Sequence, residues 1–207
     1  MSIIVNRFPK GPIGENTYLI RESEGKEAAI LDPGYFGSEI NTLIDEGYKV
    51  KYILLTHAHG DHIYALNQYI KTFPEAIVIA DEHEAVLLED GNVNGSIEMM
   101  GKDISCKSAR YVKDNDVLML GNEQIQCIYT PGHTIGCMCY LMDGIVFTGD
   151  ILFRRSVGAT HFYTGDWDAL QNSIRMKLYV LPEDTIVYPG HYDITTIDEE
   201  KEHNPFV

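Results

Sequence analysis

The chain has 207 residues and a mass of 23.4 kDa, and 44% of it is hydrophobic, enough for a buried core and too much for wholesale disorder. Its 16 basic side chains stand against 31 acidic ones, a formal charge of −15, which argues against a partner that is nucleic acid or anionic lipid, since both need a basic face. No run approaches the roughly 20 apolar residues of a membrane span, and residues 1–10 lack the basic-then-apolar order of a signal peptide, so the expectation is a cytoplasmic, soluble protein with no membrane partner.

Short β-rich runs come first, at 3–8, 17–20 and 28–31, broken by Gly and Pro. Asp32-Pro33-Gly34 stops the third of them. Ser38 is placed to cap a helix with Ile40, Leu43 and Ile44 as its apolar positions and Gly47 as its end. The continuous apolar run 52–55 reads as a strand buried on both faces. A helix is predicted over 62–72 with Ile63, Leu66 and Ile70 inward, then a strand at 77–80 and a helix at 82–88. Residues 91–113 have weak periodicity and read as a long loop or lid. Strands follow at 117–120, 125–129, 138–142 and 145–148, a helix at 168–179 with Leu170, Ile174 and Leu178 on one face, and a last strand at 185–188. Cys106, Cys127, Cys137 and Cys139 form no CxxC pair and are expected as buried free thiols. Neither a repeat nor a linker divides the chain, so one domain over 1–207 is expected, built of two sheets packed face to face with helices outside.

The densest signal is Thr56-His57-Ala58-His59-Gly60-Asp61-His62, directly after a buried strand. His57 and His59, two residues apart in extended backbone, point to one side. Asp61 and His62 lie past the turn at Gly60 and can face the same pocket from another direction. Converging imidazoles and carboxylates suit zinc, iron or manganese. Three further strand ends carry a Gly beside one ligand-type residue: Pro131-Gly132-His133, Thr148-Gly149-Asp150 and Pro189-Gly190-His191. A Gly there allows a tight turn that swings the next side chain over the sheet edge. Five of the eight histidines thus sit at strand C-termini. His83 and His203 have no such setting and are expected to be exposed and unpartnered, and the acidic stretch Asp198-Glu199-Glu200 to form a solvated helix face.

In this order of motifs, from about residue 16 to 191, the chain resembles the metallo-β-lactamase-fold hydrolases, and among them the small glyoxalase II-like (hydroxyacylglutathione hydrolase-like) members. The resemblance implies an α/β four-layer αββα sandwich of two mixed β-sheets flanked by helices. It implies two divalent metal ions, zinc foremost, with iron or manganese as alternatives. His57, His59 and His133 fall to the first ion; Asp61, His62 and His191 fall to the second; Asp150 bridges them. Asp32 resembles the carboxylate that orients the ligand loop, and Asp61 the group that also orients the nucleophile or moves its proton. The activity implied is hydrolysis of a small-molecule thioester by a hydroxide shared between the ions.

Substrate contacts follow the same resemblance. Phe162-Tyr163 with Gly165 is similar to the glutathione-contacting stretch of larger glyoxalase II enzymes, where a Lys stands in the place of His161. Tyr163 and His161 are therefore expected near substrate, and Arg154 and Arg155 are placed to attract an anion. Two departures stand against glutathione itself. Asp193 occupies the place of a Tyr two residues after the last metal His, and 16 residues follow His191 where the larger enzymes carry a basic helical region. The rival readings are an iron persulfide dioxygenase using His57, His133 and Asp150, a lactonase, and a metal-stabilised binding module without activity.

Overall fold

The structure, a computed structural model, describes residues 3–207, without the side chains of Asn41 and Ile44. The apolar position expected at Ile44 therefore lies outside the described residues, as do Met1 and Ser2. Six strands make the first sheet in sequential order: β1 (Ile3–Pro9), β2 (Asn16–Glu22), β3 (Glu27–Leu31), β4 (Lys49–Leu54), β5 (Ile77–Asp81) and β6 (Arg110–Val112). The first three pair antiparallel and the last three continue in parallel. The second sheet uses β7 (Val117–Leu120), β8 (Glu123–Tyr129), β9 (Met138–Met142), β10 (Ile145–Gly149), β13 (Ile186–Pro189) and β14 (Thr195–Thr196), in the order β14-β13-β10-β9-β8-β7. A small hairpin, β11 (Leu152–Phe153) with β12 (Ser156–Val157), lies between them in the chain.

The period-two alternation of strand side chains sorts the core into layers. Tyr18, Ile20, Leu31, Tyr52 and Leu54 of the first sheet meet Met138, Tyr140, Ile145 and Phe147 of the second. Their sequence neighbours face outward. Leu19, Ile30 and Ile53 pack under Leu43, Leu66 and Tyr69. Cys139, Val146 and Val187 pack under Leu170, Ile174 and Ile197. The result is the four-layer αββα sandwich with two mixed sheets that the motif order implies.

Six helices cover the outside: α1 (Asn41–Asp45), α2 (Leu66–Thr72), α3 (Ala85–Leu88), α4 (Ser96–Met100), α5 (Trp167–Ser173) and α6 (Ile197–His203). Several differ from the sequence expectation. Ser38 is not a cap but the first residue of a 3₁₀ turn, Ser38–Ile40, leading into α1. The helix expected from 62 begins only at Leu66, because residues 60–65 form irregular turns, with Leu66 N–H donating to Ile63 O at 2.9 Å. The helix expected over 168–179 is capped by Asp166, whose side chain accepts from Ala169 N–H, and widens to a π-helix over Ile174–Leu178. The predicted loop 91–113 contains both α4, bounded by Gly95 and Gly101 in left-handed conformation, and β6. All four cysteines are buried free thiols, and among the described residues no helix is long and apolar enough to cross a membrane.

Two buried tyrosines tie the sheets together beside the strand ends. Tyr140 Oη of β9 donates to Leu55 O at 2.8 Å, and Tyr18 Oη of β2 donates to Pro189 O at 2.6 Å. Each acceptor lies two residues before a histidine, His57 or His191, so the packing that closes the sandwich also sets where those side chains leave the sheets.

Candidate metal centre

His57, His59, Asp61 and His62 leave the end of β4; His133 follows β8, Asp150 follows β10 and His191 follows β13. The sandwich brings all seven together at one edge. Ligand-type atoms of His57, His59 and His133 lie within 4.8 Å of one another, and so do those of Asp61, His62 and His191. Asp150 stands between the two groups. Its Oδ1 is 3.3 Å from His62 Nε2, and its Oδ2 is 3.5 Å from His133 Nε2 and 3.6 Å from His191 Nε2. Asp61 Oδ2 is 3.3 Å from His191 Nε2.

The backbone at the edge demands glycine. Gly149 has φ +49°, and a Cβ on it would meet Thr56 Oγ1 at 2.3 Å. A Cβ on Gly190 would meet Asp150 Oδ1 at 2.2 Å and His62 Cε1 at 2.7 Å. Any other residue at either place would push into the cluster.

Asp32 also comes within ligand distance of His57 and His62, but its oxygens are already engaged. It is fully buried and accepts from Thr56 N–H at 2.8 Å, Thr56 Oγ1–H at 2.7 Å and His62 Nδ1–H at 3.0 Å. Thr56 Oγ1 in turn faces His57 Nδ1 at 3.0 Å. With its own proton given to Asp32, that hydroxyl accepts from His57 Nδ1–H. His133 Nδ1–H donates to Ala159 O at 2.6 Å. Each of these bonds fixes a tautomer and leaves the Nε2 lone pair aimed into the cluster.

These lone pairs test whether a cation fits. Nε2 of His57, Nε2 of His62 and Oδ1 of Asp150 are buried without a hydrogen-bond partner, an arrangement that costs free energy unless something positive satisfies them. His59 Nδ1 lies 2.8 Å from His133 Nε2, and two ring nitrogens that close need a proton or a cation between them. The donor set of nitrogen and carboxylate oxygen suits zinc, iron or manganese.

Electrostatics agree. Burial pushes His57 well below its usual pKa, and the imidazoles of His62 and His133 add to the shift. Burial, then His133, pushes His59 down to about 3. Burial also works against charge on Asp150, but His62, His133 and His191 outweigh it and hold that carboxyl well below the usual range. Burial likewise disfavours a charged His62, yet Asp61, Asp150 and Asp32 together raise its pKa well above the usual value. The carboxylates thus demand positive charge where the second group of ligand atoms converges.

Above the cluster opens a cleft of about 420 Å³. His59, Asp61, His133, Asp150 and His191 form its floor, with Phe162 and Tyr163 on its wall. Of the expected substrate contacts, only Tyr163 lines it. His161 is exposed outside the cleft, its ring tilted 36° against Phe162 with centroids 4.2 Å apart. The Arg155 guanidinium is held by Glu199, with Nε at 3.0 Å, and Arg154 is exposed outside the cleft. Asp193 pairs with Arg7 at 3.0 Å.

Other residues important to the site were not visible in the sequence. Glu84, fully buried, accepts from Ala58 N–H and Thr134 Oγ1–H, each at 2.8 Å, and from Gly136 N–H at 2.9 Å, so it ties the loop of His57 and His59 to the loop of His133. Asn16 Nδ2 donates to Pro189 O at 2.9 Å and Tyr192 O at 3.0 Å, bracketing His191. Glu200, expected on a solvated face, is buried and accepts from Thr195 Oγ1, Asn204 Nδ2 and Arg155 N–H, because α6 packs that side of its first turn inward. His83 and His203 are exposed as expected but not alone, since His83 Nδ1 lies 2.7 Å from Asp81 and His203 Nδ1 lies 3.6 Å from Glu202.

The fold and the site define the class of a metal-dependent hydrolase. The Metallo-beta-lactamase superfamily model matches residues 11–191, and the chain belongs to that superfamily. It is 36% identical over 205 residues to the probable metallo-hydrolase YqgX of Bacillus subtilis, covering 97% of this chain and 96% of that one. To the hydroxyacylglutathione hydrolase GloC of Haemophilus influenzae it is 34% identical, again over 97% and 96%. Among solved structures, the B3 metallo-beta-lactamase BLEG-1 superposes with a TM-score of 0.88 at 38% identity, covering 98% of this chain and 99% of that one. TTHA1623, in a di-iron-bound form, superposes with 0.83 at 31% identity over 98% and 100%. ETHE1 from Myxococcus xanthus does so with 0.81 at 29% identity over 98% and 83%.

Proposed function

We propose that this protein is a glyoxalase II-like thioester hydrolase that works with two divalent ions. His57, His59 and His133 would hold the first, Asp61, His62 and His191 the second, and Asp150 would reach both. The observation that carries the reading is the set of buried polar atoms, His57 Nε2, His62 Nε2 and Asp150 Oδ1, that no hydrogen bond satisfies. Bound there, divalent cations supply Lewis acidity toward an acyl carbonyl and bring the pKa of a water near neutrality.

The chain's own residues do the rest. The Phe162 and Tyr163 wall seats the substrate against the floor of the cleft. Asp61, facing the cleft with one oxygen near His191, orients the attacking water or takes its proton. Asp32 touches neither substrate nor cleft; it holds His62 and, through Thr56, His57 in the ligating tautomer. In the overall step water adds to the acyl carbon, the C–S bond breaks, and a carboxylic acid and a thiol are released. A thiolate leaves readily, so the step does not need a strong general acid at the sulfur.

The relative named for hydroxyacylglutathione hydrolysis supports this reading. A second reading, iron-dependent oxygenation of a persulfide at His57, His133 and Asp150, is favoured by the likeness to ETHE1; the complete second group of ligand atoms favours hydrolysis. The deciding experiment measures metal content and turnover in one sample, over a panel of thioesters, a lactone, a β-lactam and glutathione persulfide with an oxygen electrode. Thioester cleavage that scales with metal content is the expected result. Oxygen consumption with persulfide and no thioester cleavage would overturn it.

A further inference from the structure

Apart from its floor, the wall of the cleft carries Ile13, Met99, Phe162 and Tyr163, all exposed, and two amides, Asn92 and Asn94, whose Nδ2 groups are given to Asp90 and to Leu87 O and Ile104 O. Among the described residues, the one carboxylate on that wall is Glu98, on α4. Among the described residues, no lysine or arginine lines the cleft. The lysines at this end of the molecule serve elsewhere: Lys10 and Lys102 line a separate cleft of about 300 Å³ that shares no residue with the first. There Lys10 is hydrogen-bonded to Glu39, and Lys102 lies 4.3 Å from the Tyr64 ring centroid.

A thiol carrier bearing carboxylates or phosphates would therefore enter a −15 molecule, pass Glu98 and find no basic side chain to pair with. Like charge beside the entering carrier opposes binding, and the field of the whole molecule slows approach. An apolar thiol portion would instead cover the four exposed side chains and gain their burial.

Resting on the thioesterase reading above, we propose that the substrate is a thioester with an apolar, non-anionic thiol portion, and that Glu98 discriminates against anionic carriers. The metal-loaded protein is to be assayed with two esters of the same acyl group, one on N-acetylcysteamine and one on glutathione. The neutral ester is expected to have the higher kcat/KM by about tenfold, mainly through KM. Salt should raise kcat/KM for the glutathione ester several-fold more than for the neutral one, because it screens the repulsion. Glu98→Lys should raise the ratio of glutathione-ester to neutral-ester kcat/KM about fivefold or more. A glutathione ester preferred at low salt, or a ratio indifferent to both salt and Glu98→Lys, overturns this inference alone. Cleavage of neither ester by fully loaded protein overturns the thioesterase reading and this inference with it.

Discussion

Asp32 shows how one residue can govern a site it does not enter. It has φ +48°, a left-handed conformation that Asp tolerates better than most side chains, and this turns its carboxylate back onto Thr56 and His62. Asp32→Ala leaves three buried donors unpaired and frees two imidazoles. It should cost about 3 kcal/mol or more of stability and weaken metal binding by about 10–100-fold, read by urea unfolding and metal titration. Near-native affinity in a folded variant would remove Asp32 from the positioning role. The candidate ligands divide differently. Asp150 reaches both groups, whereas His191 belongs to one. Asp150→Ala should lose both ions, and His191→Ala should retain about one per chain, as mass spectrometry of the native protein would count. These seven side chains could be read in the sequence because each lies beside a glycine at a strand end or in one dense segment. Glu84 could not. Its partners are Ala58, Thr134 and Gly136, up to 52 residues away, and nothing local marks a glutamate in an ordinary amphipathic turn as a tie between loops.

Among the elements, the longer strands of both sheets were legible, whereas the edge strands β6 and β14 and the other short pieces were not. Strands such as β2, β4, β9 and β10 carry four or more buried residues, and that much burial leaves a pattern. β11, β12 and β14 have two residues each and α4 has five, too few for any period to show. Yet α4 brings Glu98 and Met99 to the cleft, so the stretch that looked featureless supplies one of its walls. Glu84, in the 3₁₀ turn Glu82–Glu84 before α3, yields a pH prediction. Burial pushes its carboxyl up to about 7, against the hydrogen bonds that favour its charged form. A folded-state pKa raised above the unfolded value of 4.5 gives a contribution present in full below about pH 4.5 and lost as pH rises through about 7. Glu84→Gln cannot ionise. The unfolding free energy of the wild type relative to Glu84→Gln should therefore fall between about pH 4.5 and about pH 7 and level off above; a difference independent of pH would contradict a carboxyl that titrates in this window. Glu84→Ala, which also removes the tie, should be less stable than either by about 2 kcal/mol or more.

On the scale of the whole molecule, the candidate ligands straddle the sandwich. Four follow β4 of the first sheet; His133, Asp150 and His191 follow strands of the second. Ions held there would cross-link the sheets at one edge, adding to the bonds from Tyr140 and Tyr18 that already join them. A ligand that binds only the folded state stabilises it by mass action, about 2.7 kcal/mol for one ion at a hundredfold excess over its dissociation constant. In a chain of this length 1 kcal/mol is worth about 2–4 °C, so chelation should lower Tm by about 5–10 °C per ion removed. The apolar layer between the sheets, from Tyr18 to Phe147, does not depend on the ligand edge, and the chelated protein should keep its near-ultraviolet circular dichroism. Protons compete with metal for the same nitrogens, and in the metal-free state Asp61 and Asp150, against the opposing effect of burial, raise the pKa of His62 and His191. The gap in Tm between loaded and chelated protein should accordingly narrow as pH falls. A Tm that chelation leaves unchanged at neutral pH would mean that no ion bridges the sheets.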